Sequence, residues 1–214
     1  APFDVCESKQ ENTVFGKWSD IKHNRILNWV DLVQKEGDYG VALYSDHTTS
    51  YSYADDFPLS LTAQYSGIGL WGPNYRITRS LDMNYSILPH TGKWDQATIS
   101  TQSNTCNEPL LTSFHKSAEM KSKSFVEFAK PGYEVVAFKT KGSNILLRVF
   151  NTEGDNTTQK IMFNFPCTVV EEVDLRGKII EQKSIAKILG KNAISTSMPR
   201  FGIKTFLIKK IEEI

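Results

Sequence analysis

The chain has 214 residues and a formal net charge of +1, long enough to bury a sizeable core in one large or two small domains. Acidic and basic residues are interspersed, with no Lys/Arg stripe interleaved with aromatics, which argues against a nucleic-acid partner. No apolar run approaches the roughly 20 residues a membrane-crossing helix needs, so no membrane role is expected.

The opening residues, Ala1-Pro-Phe-Asp-Val-Cys6, have neither a basic start nor an apolar stretch of signal-peptide type and read as a processing edge. Residues 1–33 read as extended, with Phe3 and Val5 alternating and a bend from Glu7 to Thr13. Trp18 and the run Ile26 to Val30 carry the apolar weight of a strand, and Lys35 to Tyr39 is a turn by composition.

Gly40 to Leu43 predicts a strand with Val41 and Leu43 alternating, which runs into a polar cluster from Ser45 to Ser50. Tyr51 and Tyr53 follow at the spacing of a second extended segment. Leu59 to Ala63 alternates as a half-buried strand, and Gly67, Gly69 and Gly72 mark turns. Tyr75 and Ile77 resume extended alternation, Met83 to Leu88 is a further strand, and Pro89-His-Thr-Gly92 is expected to end it. Trp94 to Cys106 is the one plausible helix of this half, although its Ser, Thr and Asn residues are weak helix formers. Ser113 to Lys123, polar and basic without periodicity, reads as a linker.

The remainder shows regular β punctuation. Val135–Thr140 and Ile145–Phe150 flank the hairpin signal Lys141-Gly-Ser-Asn144, and Glu153-Gly-Asp-Asn156 turns the chain. Lys160 to Phe165 places Ile161, Phe163 and Phe165 on one face. Further strands are expected at Thr168–Leu175, Ile179–Lys183, Ala193–Ser197 and Ile203–Lys209, with a helical turn at Ile185–Leu189. Short strands about every 10 residues are the pattern of an Ig-like or fibronectin-like sandwich.

The residues that carry chemistry give two readings of Ser45 to Ser50. Hydroxyls, a carboxylate and an imidazole at the end of a strand make a rigid polar platform for a ligand such as a sugar. The same residue types also make an ordinary turn, with Asp46 and the threonines bonding their own backbone. Paired carboxylates for glycoside hydrolysis would come from Asp46, Asp55, Asp56 and Asp95. Asp55 and Asp56 point to opposite sides of an extended stretch and read as a solvated turn.

The histidines His23, His47, His90 and His115 show no helix-face spacing for zinc, and His90 reads as a turn residue or a partner of backbone carbonyls. Tyr51, Tyr53, Trp71 and Tyr75 either stack on sugar rings or pack in the core. Cys6, Cys106 and Cys167 have no metal or disulfide spacing and read as bystander thiols. Asn84-Tyr-Ser86 and Asn156-Thr-Thr158 match the N-glycosylation sequon.

Several stretches in order resemble the C-terminal β-region of glycoside hydrolase family 38, the α-mannosidases. They are Asn28–Leu32, Gly37–Leu43, Ser45–Tyr51, Gln64–Gly67 with Gly69–Gly72, Ile87–Trp94, Asn107–Leu111, Leu147–Asn151, Asp174–Gly177 and Phe201–Phe206. The resemblance implies a mainly β chain: residues 1–125 as the late part of a large, galactose-mutarotase-like β-sandwich, and residues 126–214 as a smaller Ig/fibronectin-like sandwich. It also implies that the catalytic zinc, the Asp nucleophile and the Asp acid of a retaining mechanism lie in an N-terminal α/β barrel outside this sequence.

On this resemblance the chain itself carries no catalytic residue, no metal ligand and no cofactor, and its partners are the catalytic and helical domains of the same protein and a mannose-containing glycan. The rim loop Asp46, His47, Thr48 and Thr49 is expected to border the sugar site. His47 stands where animal members carry Arg, a shorter and titratable side chain in place of a fixed fork. Partner strands missing from residues 1–112 are expected to promote self-association. Glycan chemistry leans toward an extracytoplasmic setting. A free-standing carbohydrate-binding or structural β module is the alternative.

Overall fold

The computed structural model describes residues 4–7, 25–54, 57–64, 66–69, 72–114, 122–180, 187–188 and 192–210. The chain is mainly β and divides into two compact units, Ala1–Pro109 and Leu110–Ile214.

The first unit contains β1 (Arg25–Ile26), β2 (Trp29–Val33), β3 (Tyr39–Ser45), β4 (Thr49–Ala54), β5 (Phe57–Leu61), β6 (Tyr85–Thr91) and α1 (Ile99–Asn107). They form two antiparallel three-stranded sheets, ordered β1-β4-β5 and β2-β3-β6. Gly37, at φ 76, closes the β2–β3 hairpin at the turn expected from composition.

Side chains alternate across β3, and the face that is buried is the one bearing Gly40, Ala42 and Tyr44. Ala42, Tyr44 and Ile99 of α1 form the core, with Trp29, Leu88, Trp94 and Ala97 packed against them. Trp29 and Trp94 stack at 5.9 Å between ring centroids. Full burial of a side chain such as Ile99 is worth roughly 1.5–3 kcal/mol. The opposite face keeps Tyr39, Val41, Tyr85 and Ile87 exposed, Ile87 by 69 %.

Three expectations for this unit are corrected. Pro89 and His90 do not end the strand from Met83, because β6 runs from Tyr85 through Thr91 with Pro89 opposite Val41. A proline is tolerated there because, among the described residues, β6 is the outer strand of its sheet. Tyr75 and Ile77 form no strand; Tyr75 pairs with Gly67 in an isolated bridge.

The helix begins at Ile99 and not at Trp94, since Trp94–Ala97 form turns and Thr98 adopts a left-handed conformation at φ 54. Trp18, Asp55, Asp56 and Trp71 lie outside the described residues, as do Phe3 and most of the Glu7–Thr13 bend.

The second unit contains β7 (Val126–Phe128), β8 (Tyr133–Lys141), β9 (Asn144–Asn151), β10 (Gln159–Phe163), β11 (Cys167–Val173), β12 (Lys187–Ile188), β13 (Ala193–Thr196) and β14 (Ile203–Lys210). Two four-stranded antiparallel sheets, β12-β13-β10-β7 and β11-β14-β9-β8, make a β-sandwich. Leu147, Val149, Ile161, Phe163, Ile194, Phe206 and Ile208 fill the space between them.

The period-2 reading of Ile161 and Phe163 is borne out by their burial. The Lys141–Asn144 hairpin joins β8 and β9 as expected. β7, too short to carry a pattern, had no counterpart among the expected strands. Lys187–Ile188, expected within a helical turn, are extended and pair with β13. Residues 181–183 of the Ile179–Lys183 strand and 115–121 of the linker lie outside the described residues.

One end of this sandwich is closed by main-chain bonds. The Gly132 carbonyl accepts from the N–H groups of Thr152, Glu153 and Gly154 at 2.9, 3.2 and 3.3 Å. Gly132 has φ 94, and a Cβ there would lie 2.2 Å from the Gly154 nitrogen. Buried Asn151 donates its Nδ2 to the carbonyls of Asp155 and Met198, both at 3.1 Å.

Leu147→Ala is expected to destabilise this unit by about 2–5 kcal/mol. Gly132→Ala should lower its urea midpoint far more than Gly142→Ala, which shares a positive φ but has open space around the added methyl. Urea unfolding, with amide exchange at Leu147 and Val149 as the core probe, is the measurement, and equal effects of the two glycine changes would count against the close approach at Gly132.

Candidate functional site

The polar loop Asp46 to Thr48 is the corner at which the chain leaves the β2-β3-β6 sheet for the β1-β4-β5 sheet. Ser45, the last residue of β3 before it, is fully buried and its N–H donates to the Asn28 carbonyl at 2.8 Å. Ser45 Oγ donates to the His47 carbonyl at 3.0 Å, tightening the bend. From α1, Asn107 Nδ2 donates to the Ser45 carbonyl at 3.1 Å, and Ser103 Oγ donates to the Asn28 carbonyl at 3.4 Å. Helix and corner are thus held by the same few polar groups.

Asp46 is clamped to Asn84, which precedes β6. The Asn84 N–H and Nδ2 both donate to Asp46 Oδ2, at 2.9 and 2.8 Å, and the Asp46 N–H donates to the Asn84 carbonyl at 3.2 Å. His47 Nδ1 lies 2.7 Å from Asp46 Oδ1. The bonds from His47 and then Asn84 hold the Asp46 carboxyl well below the usual range, at about 2.

A carboxylate only accepts, so Nδ1 carries the ring proton. Nε2 is buried and makes no hydrogen bond among the described residues. The ring meets Tyr85 edge-on at 5.8 Å. Asp46 therefore bonds a distant residue and its neighbour's ring, and not its own backbone as the ordinary turn reading has it.

The remaining loop residues differ in their freedom. Thr48 is exposed and its hydroxyl makes no hydrogen bond among the described residues. Thr49 Oγ1 donates to the Thr62 carbonyl, and Ser50 Oγ donates to Thr62 Oγ1 at 2.8 Å. Tyr51 and Tyr53 are half-buried in β4, while Tyr75 is 60 % exposed. Asp95 caps the neighbouring turn through the Gln96 N–H at 3.0 Å. Cys6 and Cys106 are exposed and Cys167 is buried, all as free thiols.

A second polar pair escaped the reading of the sequence. His90 Nε2 lies 2.8 Å from Asp31 Oδ1, with side chains only 6 % and 5 % exposed. The two residues sit on the strands either side of β3, and His90 crosses above Gly40, its register partner. A Cβ on Gly40 would come within 2.7 Å of the ring. Asp31 Oδ2 and His90 Nδ1 are buried without partners among the described residues, and each such orphan costs about 1–3 kcal/mol.

The readable signal was Gly40 inside a strand, which marks close approach of another group. His90 also lines an open depression of ≈ 560 Å³ between β6 and α1, with Leu88, Thr91, Gln96 and Gln102. There Gln96 Oε1 already accepts from the Lys93 N–H, and Gln102 Nε2 donates to the Ala97 carbonyl.

Among the described residues no group of three or more His, Cys, Asp or Glu side chains is placed to hold a metal ion, and no helix is long and apolar enough to cross a membrane. Fold and site together define a β-sandwich protein with a fixed polar corner. Residues 134–206, from β8 into β14, match the family model for the glycosyl hydrolases family 38 C-terminal beta sandwich domain. Leu147–Asn151, Asp174–Gly177 and Phe201–Phe206 of the stretches that resembled this family fall inside the match. Comparison of the chain with curated proteins gives no match.

Asp46 is expected to titrate near 2 by carboxyl-carbon NMR. Because its folded value lies below the ordinary 3.8, its contribution to stability is present above pH 3.8 and is lost as pH falls toward 2. Asn84→Ala should move the midpoint back toward 3.8, and an unchanged midpoint would remove Asn84 from the clamp. Gly40→Ala should lower the unfolding midpoint seen by Trp fluorescence, since all tryptophans lie in residues 1–109; wild-type stability would sink the close approach of His90.

Proposed function

We propose that this chain is the non-catalytic β-sandwich portion of a retaining, zinc-dependent α-mannosidase. It braces a catalytic barrel and lends the loop Asp46-His47-Thr48-Thr49 to the mannoside site. The family 38 match over residues 134–206 is the observation that carries the reading. The exposed apolar face of Tyr39, Val41 and Ile87 supports bracing, because such a face gains by being covered.

In this reading the loop residues divide the work. Both oxygens of Asp46 are occupied by His47 and Asn84, so Asp46 is a positioning residue. Thr48, with a free hydroxyl, and the edge of the His47 ring are the groups that border the sugar. Thr49 anchors the start of β4 through Thr62. In this reading the zinc and its reacting carboxylates belong to the catalytic domain.

The second reading is a free-standing carbohydrate-binding module. It is favoured by one observation: the corner is assembled from Ser103, Asn107 and Asn84 of its own unit, with no other body required.

With the upstream barrel present, Asp46→Ala is expected to lower kcat/KM for an aryl α-mannoside about tenfold, or ~1.4 kcal/mol of transition-state stabilisation. Unchanged kcat/KM, or zinc-dependent turnover by the 214-residue chain alone, overturns the first reading. Shifts of the His47 ring resonances on adding methyl α-mannoside to the chain alone would favour the second.

A further inference from the structure

The two sequons, Asn84-Tyr-Ser86 and Asn156-Thr-Thr158, occupy unlike settings. Asn84 is built into the polar corner. Its Nδ2, the atom that glycosylation modifies, lies 2.8 Å from Asp46 Oδ2, and its N–H and carbonyl both bond Asp46 as well. Ser86 is already within β6, opposite Tyr44. A saccharide on that nitrogen would bring a sugar ring against the carboxylate the nitrogen now touches.

Asn156 lies in the exposed bend before β10, in the other unit. Its Oδ1 accepts the Arg200 N–H at 3.2 Å, while its Nδ2 makes no hydrogen bond among the described residues. Thr158, which supplies the sequon hydroxyl, is exposed. Asp155 shapes the bend from its other side by accepting the Thr157 N–H at 2.9 Å. The amide nitrogen is therefore presented to solvent with its carbonyl oriented and its sequon hydroxyl accessible.

We propose that Asn156 is an N-glycosylation site and that Asn84, with the same motif, carries no glycan in the folded protein. The donor class is an oligosaccharide on a polyprenyl diphosphate. The Asn156 Nδ2 bonds to the anomeric carbon, the bond from that carbon to the diphosphate oxygen breaks, polyprenyl diphosphate leaves, and the amide nitrogen loses one proton. The Asn156 carbonyl is untouched, so its bond from Arg200 persists.

The test is secretion of the 214-residue chain from a eukaryotic host, followed by peptide mapping after a peptide:N-glycosidase that converts glycosylated Asn to Asp. Conversion is expected at Asn156 and not at Asn84. The glycosidase-sensitive mobility shift should vanish in both Asn156→Gln and Thr158→Ala, and remain in Ser86→Ala. Thr158→Ala leaves the Arg200 contact in place, so its loss of the shift reads the sequon and not the bend. Conversion at Asn84, no conversion at Asn156, or a shift that survives Thr158→Ala overturns the proposal.

Discussion

The choice of which face of β3 is buried governs the first unit. Gly40 and Ala42 are the smallest residues on that strand, and burying them lets other groups come close. Over Ala42 and Tyr44 the helix α1 and Trp94 pack directly, and over Gly40 the His90 ring crosses to reach Asp31. A one-residue slip of register would turn Val41 and Leu43 inward and put Tyr44 into solvent. The polar corner follows directly from this strand, because Ser45 ends β3 on its other face and α1 fastens the Ser45 carbonyl through Asn107.

Most of the β architecture was legible where a strand carried its own pattern. β9, β10 and β14 announce themselves through apolar alternation or continuous apolar runs, and the hairpin at Lys141–Asn144 through its turn residues. The misreadings have local causes. A proline inside Ile87-Leu-Pro-His90 reads as a strand end, and only the sheet order shows that β6 is an outer strand. The left-handed Thr98 that delays α1 carries no compositional mark. β7 and β12 are two or three residues long, below any periodicity.

The candidate site was half legible. The cluster of Asp, His and Thr after β3 stood out by composition, yet its main partner, Asn84, is 38 residues away along the chain. No local rule connects them; β3–β6 pairing does. Together with β2–β3 pairing it also joins Asp31 to His90, 59 residues apart. Polar pairs built across a sheet are invisible to spacing arguments, and the only trace they left was a glycine in the strand between them.

The proline in β6 has a further meaning for how copies of this chain meet. An outer strand normally offers a row of donors and acceptors on which another chain's strand can grow. With no N–H at Pro89, in the middle of Tyr85–Thr91, that row has a gap. Polymeric strand addition along this border is therefore interrupted at its centre, and fibre-like growth is discouraged by one missing hydrogen atom.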